Sequence, residues 1–371
     1  MNFSEFQFNS KIQAGIKSCG YKNPTPIQEK AITPVLNGRD VMGLAQTGTG
    51  KTAAFVLPIL EKLVQGKRGR IRSLILSPTR ELAEQTLEHI QTLGRRTGIK
   101  AVSVYGGVSK FGQVKKIRSG ADIIVACPGR LLDIMNDRAV NLSAVEILVL
   151  DEGDRMLDMG FMPDIKKIIK KLPGKRQNML FSATMPSDIS RLAGEILSDP
   201  VKVQVDHERP LQGITQSLYP VQRRSKPEML LALLQEKQAG ATLVFTRTKH
   251  MATKLAKRLN SAGMRAMDLQ GNMSQNNRRR VMQGFKNGNF NILVATDIAS
   301  RGIDVSRIEH VVNYDMPDTK EAYTHRIGRT GRAARSGEAS TFVESKHFGL
   351  VRAIERSQSQ KMQRKTLPSP A

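Results

Sequence analysis

Short apolar runs recur along the whole chain, separated by longer segments with helical spacing, and this rhythm is its strongest constraint. In the first half the runs are Asp40–Ala45, Leu74–Ser77, Ala101–Tyr105, Ile123–Ala126, Ile147–Leu150 and Met179–Phe181. Each is only a few residues long and apolar on both faces, which suits a strand of a buried parallel sheet better than a helix. Arg80–Leu93 and Lys110–Ser119, lying between them, carry helical periodicity. Strand–helix alternation of this kind builds an α/β layer fold. The pattern pauses near Asp206–Gln216, where residues 207–213 read as a polar linker, and then restarts. Thr242–Thr246, Met264–Leu269, Asn291–Ala295, His310–Asn313 and Ser340–Val343 form a second strand set. Helices at Pro227–Lys237, Lys249–Ala262 and Gln275–Lys286 lie among them. The expectation is two α/β domains, residues 1–206 and 214–351, followed by a basic tail, 352–371.

Composition narrows the class. With 371 residues there is enough chain for two cores. No apolar run reaches the length of a membrane span, and the amino-terminal residues lack the basic flank and apolar stretch of a secretory signal. The two cysteines, Cys19 and Cys127, fit no metal-type spacing, which suits a reducing, cytoplasmic setting. The formal charge of +25 predicts attraction to a polyanion, a nucleic acid or an acidic membrane face.

Local motifs supply the chemistry. Ala45-Gln46-Thr47-Gly48-Thr49-Gly50-Lys51-Thr52 follows a predicted strand and precedes the apolar helical stretch Ala53–Leu63. That is the setting of a phosphate-binding loop, although Ala45 stands where the strict pattern has Gly. Glycines let backbone N–H groups turn toward phosphate oxygens at a helix N-terminus. Lys51 is expected at the β/γ-phosphates, and Thr52 at Mg²⁺. Farther on, the buried run Ile147–Leu150 ends in Asp151-Glu152. Asp151 is then a metal holder, and Glu152 orients and polarises the attacking water. Together these residues predict NTP hydrolysis. The second half contributes His325-Arg326-Ile327-Gly328-Arg329-Thr330-Gly331-Arg332. By itself this cluster reads equally as a solvated basic helix. Beside an NTP site lacking its own arginine, it suggests a finger delivered across a cleft.

The order of these motifs resembles the DEAD-box RNA helicases of superfamily 2, from Phe3 to Val343, in wording most similar to the bacterial RhlE-type subgroup. The resemblance implies two tandem RecA-like domains. Gly20–Gln28 resembles the Q motif, which implies that Gln28 reads the adenine edge, Tyr21 lies against the ring and Phe3 is the isolated upstream aromatic. Pro78-Thr79-Arg80, Gly106-Gly107 and Pro128-Gly129-Arg130 resemble elements that hold the RNA backbone. Cys127 stands where the family usually has Thr. Asp151-Glu152-Gly153-Asp154 occupies the naming motif, with Gly153 in place of the usual Ala. Asp154, with Ser182-Ala183-Thr184, is implied to couple hydrolysis to strand separation. In the second half, Arg247 belongs to a motif IV-like segment and Gly271, with Gln275 and Arg278, to one resembling motif IVa. Thr296 and Asp304 belong to a motif V-like segment, Asp304 meeting the ribose and Thr296 lying near RNA. Arg329 and Arg332 are implied at the γ-phosphate, and His325 at motif III.

The resemblance implies an ATP- and Mg²⁺-dependent helicase that binds single-stranded RNA and locally opens short duplexes. Ribosome assembly and RNA degradation are its family-level settings. Competing readings are a non-hydrolysing RNA clamp and a DNA helicase of the same superfamily. Arg352–Ala371 reads either as a frayed end or as an RNA-holding tail.

Overall fold

The computed structural model describes residues 2–45, 48–205, 213–236, 240–297, 307–331 and 336–366. The chain divides into two compact units, Met1–His207 and Glu208–Ala371. Most of the expected linker lies outside the described residues.

The first unit is built on seven strands: β1 (Val41–Leu44), β2 (Ser73–Leu76), β3 (Ala101–Val104), β4 (Ile123–Ala126), β5 (Ile147–Asp151), β6 (Gln177–Ser182) and β7 (Val201–Gln204). All pair in parallel, in the order β3-β4-β2-β5-β6-β1-β7. β2, β4, β5 and β6 are buried at every position, which is why they read as unbroken apolar runs rather than alternating ones. Two apolar layers cover the faces: one centred on Phe55, Leu57 and Phe181, the other on Leu148, Leu150 and Leu180.

The second unit repeats the plan. Its strands are β8 (Ile214–Pro220), β9 (Thr242–Thr246), β10 (Ala266–Leu269), β11 (Ile292–Thr296), β12 (His310–Asn313), β13 (Gly337–Val343) and β14 (Gln363–Arg364). They too pair in parallel, in the order β10-β11-β9-β12-β13-β8-β14. The expected α/β architecture of two parallel sheets with surrounding helices is therefore present in both units.

Three strands escape the apolar-run pattern. β7 lies at a sheet edge and alternates partly exposed with buried residues. β8 is buried but polar, and begins at Ile214, inside the stretch where the pattern pauses. Its Gln216 accepts a hydrogen bond of 2.8 Å from the Tyr323 hydroxyl, which satisfies the amide oxygen at a core position. β14 is only two residues long.

β14 corrects the frayed-end reading over 352–366. The helix Phe348–Gln358 buries Val351 and Ile354 against Tyr323, Ile327 and Leu218. Ser359, in the left-handed region at φ 51°, turns the chain, and Met362 then enters the same core at 5 % exposure. The Met362 N–H donates to Glu355 Oε1 at 3.0 Å, and β14 continues alongside β8. A basic, polar composition masked this because only three apolar side chains are needed to anchor the segment. Met362→Ala should destabilise the second unit by about 2–5 kcal/mol; urea unfolding followed by far-UV circular dichroism would show the loss, whereas a frayed end predicts no change.

Candidate active site and nucleic-acid interface

Parallel strands bring every strand-to-helix loop to one sheet edge, and the first unit divides that edge in two. The loops after β1, β6 and β5, three adjacent strands, carry the phosphate loop, Ser182 and Asp151. The loops after β3, β4 and β2 carry Gly106-Gly107, Pro128-Gly129-Arg130 and Pro78-Thr79-Arg80.

In the phosphate loop, Gly48 and Gly50 take φ of 89° and 92°, which a side chain would strain, and the helix begins at Lys51. Lys51 is buried, and its Nζ donates to the Ala45 carbonyl at 2.6 Å. The lysine thus closes the loop around the place a phosphate would take. Gln46 and Thr47 lie outside the described residues. Gln28 is buried against the same loop. Its Oε1 accepts from the Thr25 N–H at 3.0 Å and its Nε2 donates to the Gly50 carbonyl at 3.0 Å. A Cβ at Gly50 would stand 2.9 Å from Thr25 Oγ1 and run into the Gln28 amide. The amide keeps one N–H and one lone pair beyond these bonds, enough to meet a donor–acceptor edge. Phe3 is buried, 5.9 Å from Tyr21 and stacked on it, so it supports Tyr21 from the core side.

Asp151 ends β5 and is buried. Burial, then the neighbouring Glu152 charge, raise its pKa well above the ordinary carboxylate value, while Lys51 and Arg155 pull against that rise. A carboxylate in such a place is suited to a cation. Among the described residues no three His, Cys, Asp or Glu side chains converge. One carboxylate with the Thr52 hydroxyl matches Mg²⁺, which keeps waters and phosphate oxygens as its other ligands. Glu152 has φ 53°, an uncommon conformation for a residue with a side chain. Its carboxylate is buried and paired with the Arg155 guanidinium. Arg155 went unnoticed in the sequence because it reads as one more charge on a short helix.

Asp154 joins β5 to β6. Its Oδ2 accepts from the Thr184 N–H and hydroxyl at 2.8 and 2.9 Å, and its N–H donates to Ser182 Oγ at 3.1 Å. Ser182 Oγ donates in turn to the Thr184 carbonyl at 2.7 Å. Asp154, Ser182 and Thr184, named from the sequence as coupling residues, therefore form one network. Gly153 has an ordinary φ, and an added Cβ would sit 3.7 Å from Ile189 and 3.8 Å from Leu180, normal contact distances.

On the other half of the edge, the Arg80 guanidinium lies against Gly107, which has φ 79° and no room for a Cβ beside it. Arg130 Nη1 donates to the Val108 carbonyl at 3.0 Å. Arg80, Gly106-Gly107 and Arg130 are thus drawn around one turn. Thr79 Oγ1 accepts from the Leu82 N–H at 3.3 Å, capping the helix Arg80–Leu93. Cys127 precedes the helix Pro128–Asn136 without a side-chain cap, and burial pushes its thiol up to about 12.

The second unit places its motifs the same way. Arg247 follows β9, Gly271 follows β10, and Thr296 ends β11, three adjacent strands. Gly271 is exposed, with nothing within 4 Å of an added Cβ. The helix Lys320–Ile327 follows β12 and carries His325 and Arg326, with Arg329 buried in the turn beyond. Arg332 and Asp304 lie outside the described residues, as does the side chain of Gln275. Arg326 was read in the sequence only as part of the arginine cluster, with no role of its own, yet it organises this end of the unit. Its Nε and Nη2 each meet one Asp297 oxygen at 2.6 Å, and Nη1 reaches the Asp315 carbonyl at 2.6 Å. Asp315 also accepts from the Arg247 N–H at 3.0 Å and from Lys226 Nζ at 3.1 Å. The clue in the sequence is spacing: Arg326 shares the buried helix face of Tyr323 and Ile327.

A phosphate loop and a buried Asp-Glu on two strands flanking β6 of a parallel sheet define a nucleoside-triphosphatase of the RecA-like type, here followed by a second unit of the same sheet plan. The sequence matches the DEAD/DEAH box helicase model over residues 25–192 and the helicase conserved C-terminal domain over residues 225–334. A DEAD-box ATP-dependent RNA helicase CshA of Streptococcus pneumoniae is 44% identical over 98% of this chain and 69% of its own. CshA of Bacillus subtilis is 40% identical over 100% of this chain and 75% of its own. Among solved structures, S. cerevisiae Dbp5 bound to RNA and ADP BeF3 superposes with a TM-score of 0.89 at 31% identity, covering 99% of this chain and 96% of that one. The chain belongs to the DEAD-box ATP-dependent RNA helicases. Among the described residues no helix is long and apolar enough to cross a membrane.

The room beside Gly153 sets an expectation. Gly153→Ala should be neutral or raise stability by up to about 1 kcal/mol, with ATPase within a few-fold of the parent; a thermal melt alongside steady-state hydrolysis checks both.

Proposed function

We propose that this chain hydrolyses ATP with Mg²⁺ and couples that hydrolysis to the local opening of short RNA duplexes or the remodelling of RNA–protein contacts. The observation that carries the reading is the division of the first unit's sheet edge: nucleotide chemistry after β5, β6 and β1, backbone-gripping groups after β3, β4 and β2.

Each step is assigned to particular residues. Lys51 exchanges its Ala45 carbonyl for the β/γ-phosphates, while the loop N–H groups at Gly48, Thr49 and Gly50 turn toward phosphate oxygens beside Gln46 and Thr47. Gln28 spends its remaining N–H and lone pair on adenine, with Tyr21 against the ring and Phe3 behind it. Thr52 and Asp151 would hold Mg²⁺, which would supply charge neutralisation at the phosphates. Glu152 orients the attacking water, and Arg155 keeps that carboxylate in place. From the second unit Arg329 and Arg332 meet the γ-phosphate, Asp304 the ribose, and His325 the Asp154–Ser182–Thr184 network. Pro78, Thr79, Arg80, Gly106, Gly107, Pro128, Gly129 and Arg130 hold the RNA backbone with Arg247, Gly271 and Thr296. Neither unit alone has a full set of groups, so nucleotide and RNA favour the state in which both sets are engaged. Backbone contacts carry little sequence information, and contacts to 2′-hydroxyls select RNA. Within the family the motif wording reads as RhlE-type, whereas the relatives compared above are named CshA; we read the setting as cytoplasmic, in ribosome assembly or RNA degradation.

Lys51→Ala and Glu152→Gln should each lower RNA-stimulated kcat by about 10²–10⁴-fold, with Glu152→Gln retaining ATP binding; wild-type turnover in either would remove the site assignment. Arg332→Ala should cost about 10³–10⁵-fold in hydrolysis, and an unchanged rate would reject a finger from the second unit. Replacing RNA by DNA of the same sequence should abolish stimulation.

A further inference from the structure

The second unit has a cleft lined by none of the motif residues described above. It lies along the helix Phe348–Gln358 and the turn into β14, and encloses about 710 Å³. Arg352, Arg356 and Lys361 line it, with Glu355, Ser359 and Gln360. All three cations are exposed, and among the described residues none is in an ion pair. The carboxylate in the wall is already engaged by the Met362 N–H. Arg352 and Arg356 are one helical turn apart, so they share a face, and Lys361 approaches from the returning chain. The result is a concave surface with an excess of unpaired positive charge, on a segment fastened to the core by Val351, Ile354 and Met362.

We propose that this cleft is an accessory binding site for the phosphodiester backbone of RNA, used by strand extending beyond the motif-bearing track. Guanidinium groups at one-turn spacing suit successive phosphates, and three cations against one engaged carboxylate favour a polyanion over a neutral partner. The location sets the length of RNA required. Arg247, Gly271 and Thr296 stand after β9, β10 and β11, whereas the cleft flanks β8 and β14 at the opposite edge. Six strand spacings of about 4.8 Å separate β10 from β14, or about 29 Å. At about 3.4 Å per stacked nucleotide this takes roughly nine nucleotides. A short oligonucleotide therefore fills the motif track alone, and only a longer one reaches both places. The inference rests on the RNA-binding reading proposed above.

The test compares single-stranded RNA of about 6 and about 20 nucleotides by fluorescence anisotropy, using the full chain and the variant Arg352→Gln/Arg356→Gln/Lys361→Gln. The three positions are on the surface, and circular dichroism checks the fold. The expected result is about ten-fold weaker binding of the 20-mer, with a salt slope smaller by about 2, and hexamer affinity within two-fold of the parent. An unchanged 20-mer affinity overturns the proposal, as does an equal loss for both lengths. Polyglutamate binding that requires the three cations, with RNA affinity unaffected, would assign the cleft to an acidic protein instead. If the parent binds neither RNA, the failure lies with the RNA reading of the motif track.

Discussion

Parallel strand pairing is the constraint on which the rest of this molecule depends. In each unit seven strands run the same way, so every loop leaving a strand's carboxyl end emerges at one edge. Residues a hundred positions apart, such as Lys51 and Asp151, thereby come close enough for one charge to act on the other. Burial on both faces makes this placement rigid. The strands between the phosphate loop and the Asp-Glu pair cannot slip without moving a whole apolar layer.

The charged groups at that edge are held in compensating sets. Glu152 is paired with Arg155, Asp154 is tied to Thr184 and Ser182, and burial raises the pKa of Asp151. In the second unit Arg326, Asp315 and Lys226 play the corresponding part. A buried guanidinium bonded to one carboxylate and two further oxygens adds little net stability but allows few alternative geometries. Arg247 is bound into this set through its backbone, which links the carboxyl end of β9 to the helix that carries His325.

Much of this was legible in the sequence. Fully buried strands write themselves as apolar runs, and β2, β4 and β9 were visible for that reason. The phosphate loop and Asp151-Glu152 were legible because phosphate and metal chemistry leave few choices of residue at fixed spacing. Less legible were β7, β8 and β14, whose alternating, polar or very short sequences carry no such signature. Arg326 was read only as part of the cluster because its partners are set by contacts across the fold, and Arg155, whose partner Glu152 is three residues away, was passed over as one more charge on a short helix. The carboxyl-terminal stretch misled for a related reason: Val351, Ile354 and Met362 are too few to outweigh its polar composition.

The sequence by itself determined the two parallel sheets, the phosphate loop, the paired carboxylates and the order of motifs, since these rest on local periodicity and on residue chemistry. Only the tertiary structure decided that Lys51 closes on Ala45, that Gln28 braces Gly50, that Asp154 joins two strands through Thr184, and that a basic tail is a packed helix and strand. The physical reason is range. Propensity and patterning act over a few residues, whereas hydrogen bonds, ion pairs and burial depend on which distant segments the strand order makes neighbours.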